Sequence, residues 1–137
     1  MKNILIVEQD EKELEVAKLF FSTISGYKFI YVEDRKSAEK ILSEVDAVIT
    51  EPIMFYDKKV PFEGMLQVFH SGQIILEKAR SLHIAIIILS DSGGFIGELK
   101  DKKSKIQGKF IELWGSGITK KDNRAWEMAW IELQKQF

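Results

Sequence analysis

Short apolar runs alternate with longer amphipathic stretches from one end of the chain to the other, and that alternation predicts the architecture. Asn3–Val7 (NILIV) is a continuous apolar run, as expected of a strand buried on both faces of a sheet. Asp46–Glu51, Ile84–Leu89 and Gly108–Leu113 read the same way, and Lys28–Val32 is a partly alternating strand. Ile84–Leu89 is the most β-branched run and is expected at the centre of the second half of the sheet. Between the strands, Leu14, Ala17, Phe20, Phe21 and Ile24 recur at helical spacing, with Asp10 as N-cap, Glu13 reaching back to complete a capping box, and Gly26 as the stop. Asp34 is expected to cap a short helix burying Ala38, Ile41 and Leu42. A helix is predicted from Gly72 through Leu82, and a weak lysine-rich one over 95–106. Asp122 caps a last helix carrying Trp126, Met128, Ala129, Trp130, Leu133 and Phe137.

Strand and helix thus alternate five times, (βα)5. That order implies an α/β protein, a three-layer α-β-α sandwich on a five-stranded parallel sheet with right-handed crossovers. In such sheets, ligands sit beyond the carboxyl ends of the strands. The polar residues at those ends are Glu8, Gln9 and Asp10, then Glu51, Ser90 and Asp91, and Glu112. Pro52 removes a backbone donor and ends the third strand. The least regular stretch is 52–70, where Glu63–His70 is a further candidate helix.

Composition narrows the function classes. The 137 residues suffice for one domain with a core of its own, expected to span 1–137. The chain has no cysteine, which excludes a disulfide framework, a thiolate metal site and a Cys nucleophile. Formal net charge is −1 and gives no field that would favour nucleic acid. Lys100, Lys102, Lys103, Lys105 and Lys109 lack the interleaved aromatics of a nucleic-acid surface. The opening apolar run is too short for a signal peptide, and no segment approaches the ~20 apolar residues that span a bilayer. A cytoplasmic protein with neither membrane nor nucleic-acid partner is expected.

ILIVEQD at 4–10, DAVITEP at 46–52, SGQIILEKAR at 71–80 and IAIIILS at 84–90 together resemble the receiver domain of two-component response regulators. The resemblance covers essentially the whole chain. It implies the flavodoxin-like fold of the chemotaxis regulator, with strand order 2-1-3-4-5. It further implies that Glu8 and Gln9 stand at the acidic pair that holds Mg²⁺, Glu51 at the phosphoacceptor aspartate and Ser90 at the switch hydroxyl. The family's lysine at the end of the fifth strand aligns with Glu112 or Leu113 and is read as lost.

Only Ser90 keeps the family's chemistry. Gln9 adds no charge to a magnesium site, and Glu51 sets its carboxylate one methylene farther out than aspartate would. The expectation is a stand-alone pseudo-receiver acting by protein–protein contact, without catalytic residues, metal or cofactor. Glu51 is then either a permanent mimic of the phosphorylated state or a carboxylate that outlived catalysis. A different class stays open: an Mg²⁺-dependent phosphoryl-transfer or Toprim-like enzyme using Glu8, Glu51 and Asp91. Flavin is disfavoured because the loops after the first and third strands lack a phosphate cradle. The enlarged connection at about 52–71 is a candidate cover for the old pocket. Trp126, Trp130, Leu133 and Phe137 mark the last helix as a candidate homodimer or partner surface.

Overall fold

The computed structural model describes residues 1–60, 64–91 and 109–137. The helix expected over 95–106 lies outside them. In chain order the elements are β1 (Lys2–Val7), α1 (Glu11–Phe21), β2 (Tyr27–Val32), α2 (Arg35–Ile41) with a 3₁₀ turn at Leu42–Glu44, β3 (Ala47–Thr50), α3 (Met65–Ser81), β4 (Ala85–Ser90), β5 (Lys109–Glu112) and α4 (Asn123–Gln134). The strands form one parallel sheet in the order β2-β1-β3-β4-β5, as the resemblance to receiver domains implied.

Side-chain parity assigns each strand residue to one of two cores. Ile4 and Ile6 of β1, Ala47 and Ile49 of β3, and Ile87 and Leu89 of β4 pack with Ala17 and Phe21 of α1 and with the last helix. Leu5 and Val7, Val48, and Ile86 and Ile88 pack with Ala38 of α2 and with Ile75, Leu76 and Ala79 of α3. The first core is aromatic: Phe21 meets Phe29 at 4.7 Å and Trp126 at 6.2 Å, and Tyr27 stands edge-on to Trp130 at 4.8 Å. The second is aliphatic apart from Phe110 and Met54.

Asp10, Asp34 and Asp122 cap their helices as expected, accepting the Glu13, Ser37 and Arg124 N–H groups at 2.9 Å each. Three local expectations change. The Glu13 carboxylate does not close a capping box, because it faces inward and pairs with a buried lysine. Gly72 is not a helix start: α3 runs unbroken from Met65, so much of the surplus length of the 52–71 connection is helix. Gly72 is where α3 crosses the chain after β3. A Cβ there would lie 1.8 Å from the Pro52 carbonyl oxygen, so only glycine permits this approach.

The third concerns the last helix. Trp126, Trp130 and Leu133 are all buried in the aromatic core and cannot form a surface. The helix instead exposes Met128 and Ile131, with Phe137 beyond its end.

Candidate functional site

The parity that fills the cores also sorts the polar residues at the carboxyl edge. Glu8 continues the Ile4–Ile6 face, Glu51 the Ala47–Ile49 face and Asp91 the Ile87–Leu89 face. All three fall on the side of α1 and the last helix. Gln9 continues the Leu5–Val7 face and falls on the other side. The register Val7↔Thr50 sets Glu8 and Glu51 side by side on adjacent strands. Both are almost completely buried, as is Ser90 at the end of β4. With Pro52 and Ile53 they line a pocket of about 120 Å³.

The centre of this acidic group is a lysine that the sequence reading did not single out. Lys120, only 4% exposed, comes from the connection between β5 and the last helix. Its Nζ donates to Glu8 Oε1 at 2.6 Å and lies 3.5 Å from both Glu51 Oε2 and Glu13 Oε2. Its backbone is fixed on both sides. The Lys120 N–H donates to Asp91 Oδ2 at 3.3 Å, and its carbonyl accepts the indole N–H of buried Trp126 at 2.8 Å. The reading that the site lacks a lysine is therefore corrected. The strand end does carry Glu112 and Leu113, but Leu113 is buried in the aromatic core, and Glu112 falls on the opposite face of the sheet with Phe110. After Leu113 the chain turns at Gly115 and Gly117, both with φ near +81°, and returns to the edge with Lys120. Two sequence signals could have found it. Any residue between the last strand and the last helix must lie at the carboxyl edge, and Lys120 and Lys121 are the only cations between Leu113 and Asp122.

Three carboxylates share one ammonium in a nearly dry space. Burial and the neighbouring Glu51 charge push the Glu8 carboxyl up to about 9, and burial likewise raises Glu13 to about 8. For Lys120, burial works against the charged form, but the attraction of Glu51, Glu8 and Glu13 outweighs it and the pKa is raised. At neutral pH the cluster thus holds the lysine charged and favours the protonated forms of Glu8 and Glu13.

Gln9 has a separate task. Its Oε1 accepts the Phe55 N–H at 3.0 Å and pins the chain after β3. From there the segment runs along the start of α2: the Phe55 and Tyr56 carbonyls accept the Arg35 and Lys36 N–H groups at 3.0 and 2.8 Å. Asp34 Oδ2 accepts the Lys58 N–H at 2.8 Å, and Lys58 Nζ pairs with Glu33 at 2.6 Å. The Glu51 carboxylate accepts the Gln9 N–H at 3.3 Å, and Glu8 Oε2 accepts the Asp10 N–H at 3.1 Å.

No family model matches the chain, and no curated protein matches it either. Solved structures do. A response regulator receiver domain protein from Clostridium thermocellum is 17% identical, with a TM-score of 0.62 and 100% of both chains covered. The chemotaxis response regulator CheY4 of Vibrio cholerae is 14% identical, with a TM-score of 0.63 over 97% of this chain and 98% of that one. The fold is that of a receiver domain. At such identities the likeness extends to the fold alone, since a de novo designed Rossmann 2x3 fold protein also matches, with a TM-score of 0.63, 17% identity and 99% and 91% of the two chains covered.

The receiver pattern implies Mg²⁺ at the carboxyl edge, and the residues present do not fit it. An ammonium already engages the two carboxylates that would bind the ion, Gln9 is directed to Phe55, and Asp10 caps α1. Among the described residues, no three His, Asp or Glu side chains are grouped to hold a metal.

Proposed function

We propose that this chain is a degenerate receiver domain that acts in signalling by contact with another protein and takes no phosphoryl group at Glu51. The observation that carries this reading is the buried Lys120 ammonium, held among Glu8, Glu13 and Glu51 where phosphotransfer would need a metal ion and an accessible aspartate. The longer glutamate side chain and the redirected Gln9 add to it. No catalytic turnover is assigned to the protein, and a cytoplasmic site of action is part of the proposal. Among the described residues, no helix is long and apolar enough to cross a membrane.

The decisive experiment is incubation with acetyl phosphate, or with beryllofluoride, in the presence of Mg²⁺, followed by backbone NMR. The expected spectrum is unchanged. Shifts centred on Glu51 and Ser90 would overturn the proposal.

For the partner surface, the last helix contributes Met128 and Ile131 rather than its tryptophans. Self-association through this helix predicts a dimer in light scattering that Ile131→Lys weakens. A monomer at high concentration removes that version of the proposal.

A further inference from the structure

We propose that the outer edge of β2 is a docking surface for a second copy of this chain, whose own β2 adds to the sheet antiparallel and closes a two-fold dimer. The inference stands apart from the reading of Glu51 and from the surface of the last helix.

The backbone is the first argument. β2 borders the sheet and pairs with β1 alone. The Glu8 N–H donates to the Val32 carbonyl at 3.0 Å, so Val32 turns its backbone groups towards β1. Strand alternation turns Lys28 and Ile30 the same way, and Tyr27, Phe29 and Tyr31 away from the sheet. Among the described residues, no backbone hydrogen bond reaches these three from the open side. Their side chains pack on the aromatic core, which holds the outward N–H and carbonyl groups in line for an added strand. β2 is also the one strand of the five without a buried residue.

The sequence of the edge points the same way. YKFIYV is aromatic or β-branched at every position but Lys28, and has neither proline nor glycine. Lysine, proline and bulges are the usual devices that keep an edge strand unpaired, and here a single lysine stands for all of them.

Charge selects the occupant. A groove of about 450 Å³ lies beside the carboxyl half of β2, with Glu11, Glu33 and Asp34 against Lys58 and Lys59 on its walls. Carboxylates outnumber ammonium groups there. Identical strands related by a two-fold axis pair antiparallel, so the amino end of each β2 meets the carboxyl end of the other. The exposed Lys28 of each copy is thereby brought to the acid-rich groove of its neighbour. Because the edge is complementary to itself, the contact closes at two chains.

The test follows mass by light scattering and amide exchange by NMR, on the full chain, from dilute to concentrated samples. Ile131→Lys serves as the background, so that any contact through the last helix is removed. The concentrated protein should have the mass of two chains. Exchange at Phe29 and Tyr31 should slow by roughly tenfold or more with concentration, whereas Ile30 and Val32, already bonded to β1, should change little. Adding Lys28→Glu, an exposed change that leaves both cores intact, should restore the mass of one chain and abolish the protection.

A monomer at every concentration would overturn the proposal. So would a dimer in which Phe29 and Tyr31 stay unprotected, or one that Lys28→Glu leaves whole. No phosphoryl donor is present, so a negative result here leaves the outcome with acetyl phosphate untouched.

Discussion

Lys120 is one residue with several obligations, and its loss would be felt through charge rather than through volume. Removing one member of a buried ion pair commonly costs 3–5 kcal/mol, because the partner charges remain in the dry site. Lys120→Met should therefore destabilise the protein by about 3 kcal/mol at pH 7, measured by urea unfolding. The loss should grow between pH 7 and pH 9, where Glu13 and then Glu8 give up their protons and only the wild type has an ammonium to face them. The same carboxyls set the wild type's own pH dependence. Their folded pKa values, about 9 and about 8, lie above the unfolded value of 4.5, so the folded state binds more protons between these limits. Their contribution is complete below pH 4.5 and is lost as pH rises through 8 and 9. Stability should accordingly fall on the alkaline side. Glu8→Gln, a neutral stand-in for the protonated carboxyl, should flatten that decline in thermal melts from pH 6 to 9. An unchanged slope would place the proton elsewhere.

At the scale of elements, the crossing of α3 over the chain after β3 is the tightest constraint. Glycine in a helix interior costs about 1 kcal/mol relative to alanine, and here the cost is accepted because Gly72 lies against the Pro52 carbonyl. Gly72→Ala should reverse the usual gain and destabilise by about 3 kcal/mol, as overpacking against backbone does. The strap formed by residues 55–58 along the start of α2 should be more forgiving. Asp34→Ala removes both the α2 cap and the acceptor of the Lys58 N–H, at a cost of about 2 kcal/mol. Amide exchange should then speed up at Arg35–Ser37 and at Lys58.

The strands and caps were legible because local patterning determines them: apolar runs, Asp10, Asp34 and Asp122; the sheet order came from the resemblance to receiver domains. Contacts between distant segments were not. The inward turn of Glu13 depends on a lysine more than a hundred residues away, and the unbroken run of α3 depends on Gly72 serving as an interior contact rather than a start. Alternation along β1, β3 and β4 did hold unused information. It places Glu8, Glu51 and Asp91 on one face and Gln9 on the other, which separates the charge cluster from the strap.

Across the whole molecule, the two cores differ in kind. Aromatics on the side of α1 and the last helix carry the packing near the Lys120 cluster, and mainly aliphatics, with Phe110, fill the side of α2 and α3. The three tryptophans report on this directly. Trp126 and Trp130 are buried, whereas Trp114 is 67% exposed. Acrylamide quenching should resolve one accessible and two protected emitters. Trp114→Phe should remove the accessible one with little change in stability, whereas Trp130→Ala should cost about 3–5 kcal/mol.

The hydrogen bond from Gln9 to Phe55 makes position 9 answerable to two neighbours at once. An acid there would add a charge beside a cluster already rich in carboxylates, and would do so at the anchor of the strap. Shortening Glu51 to aspartate would draw a partner away from Lys120. Positions 8, 9, 51 and 120 thus depend on one another, as a ratchet depends on its pawl, and a change at one should be tolerated best when the others change with it.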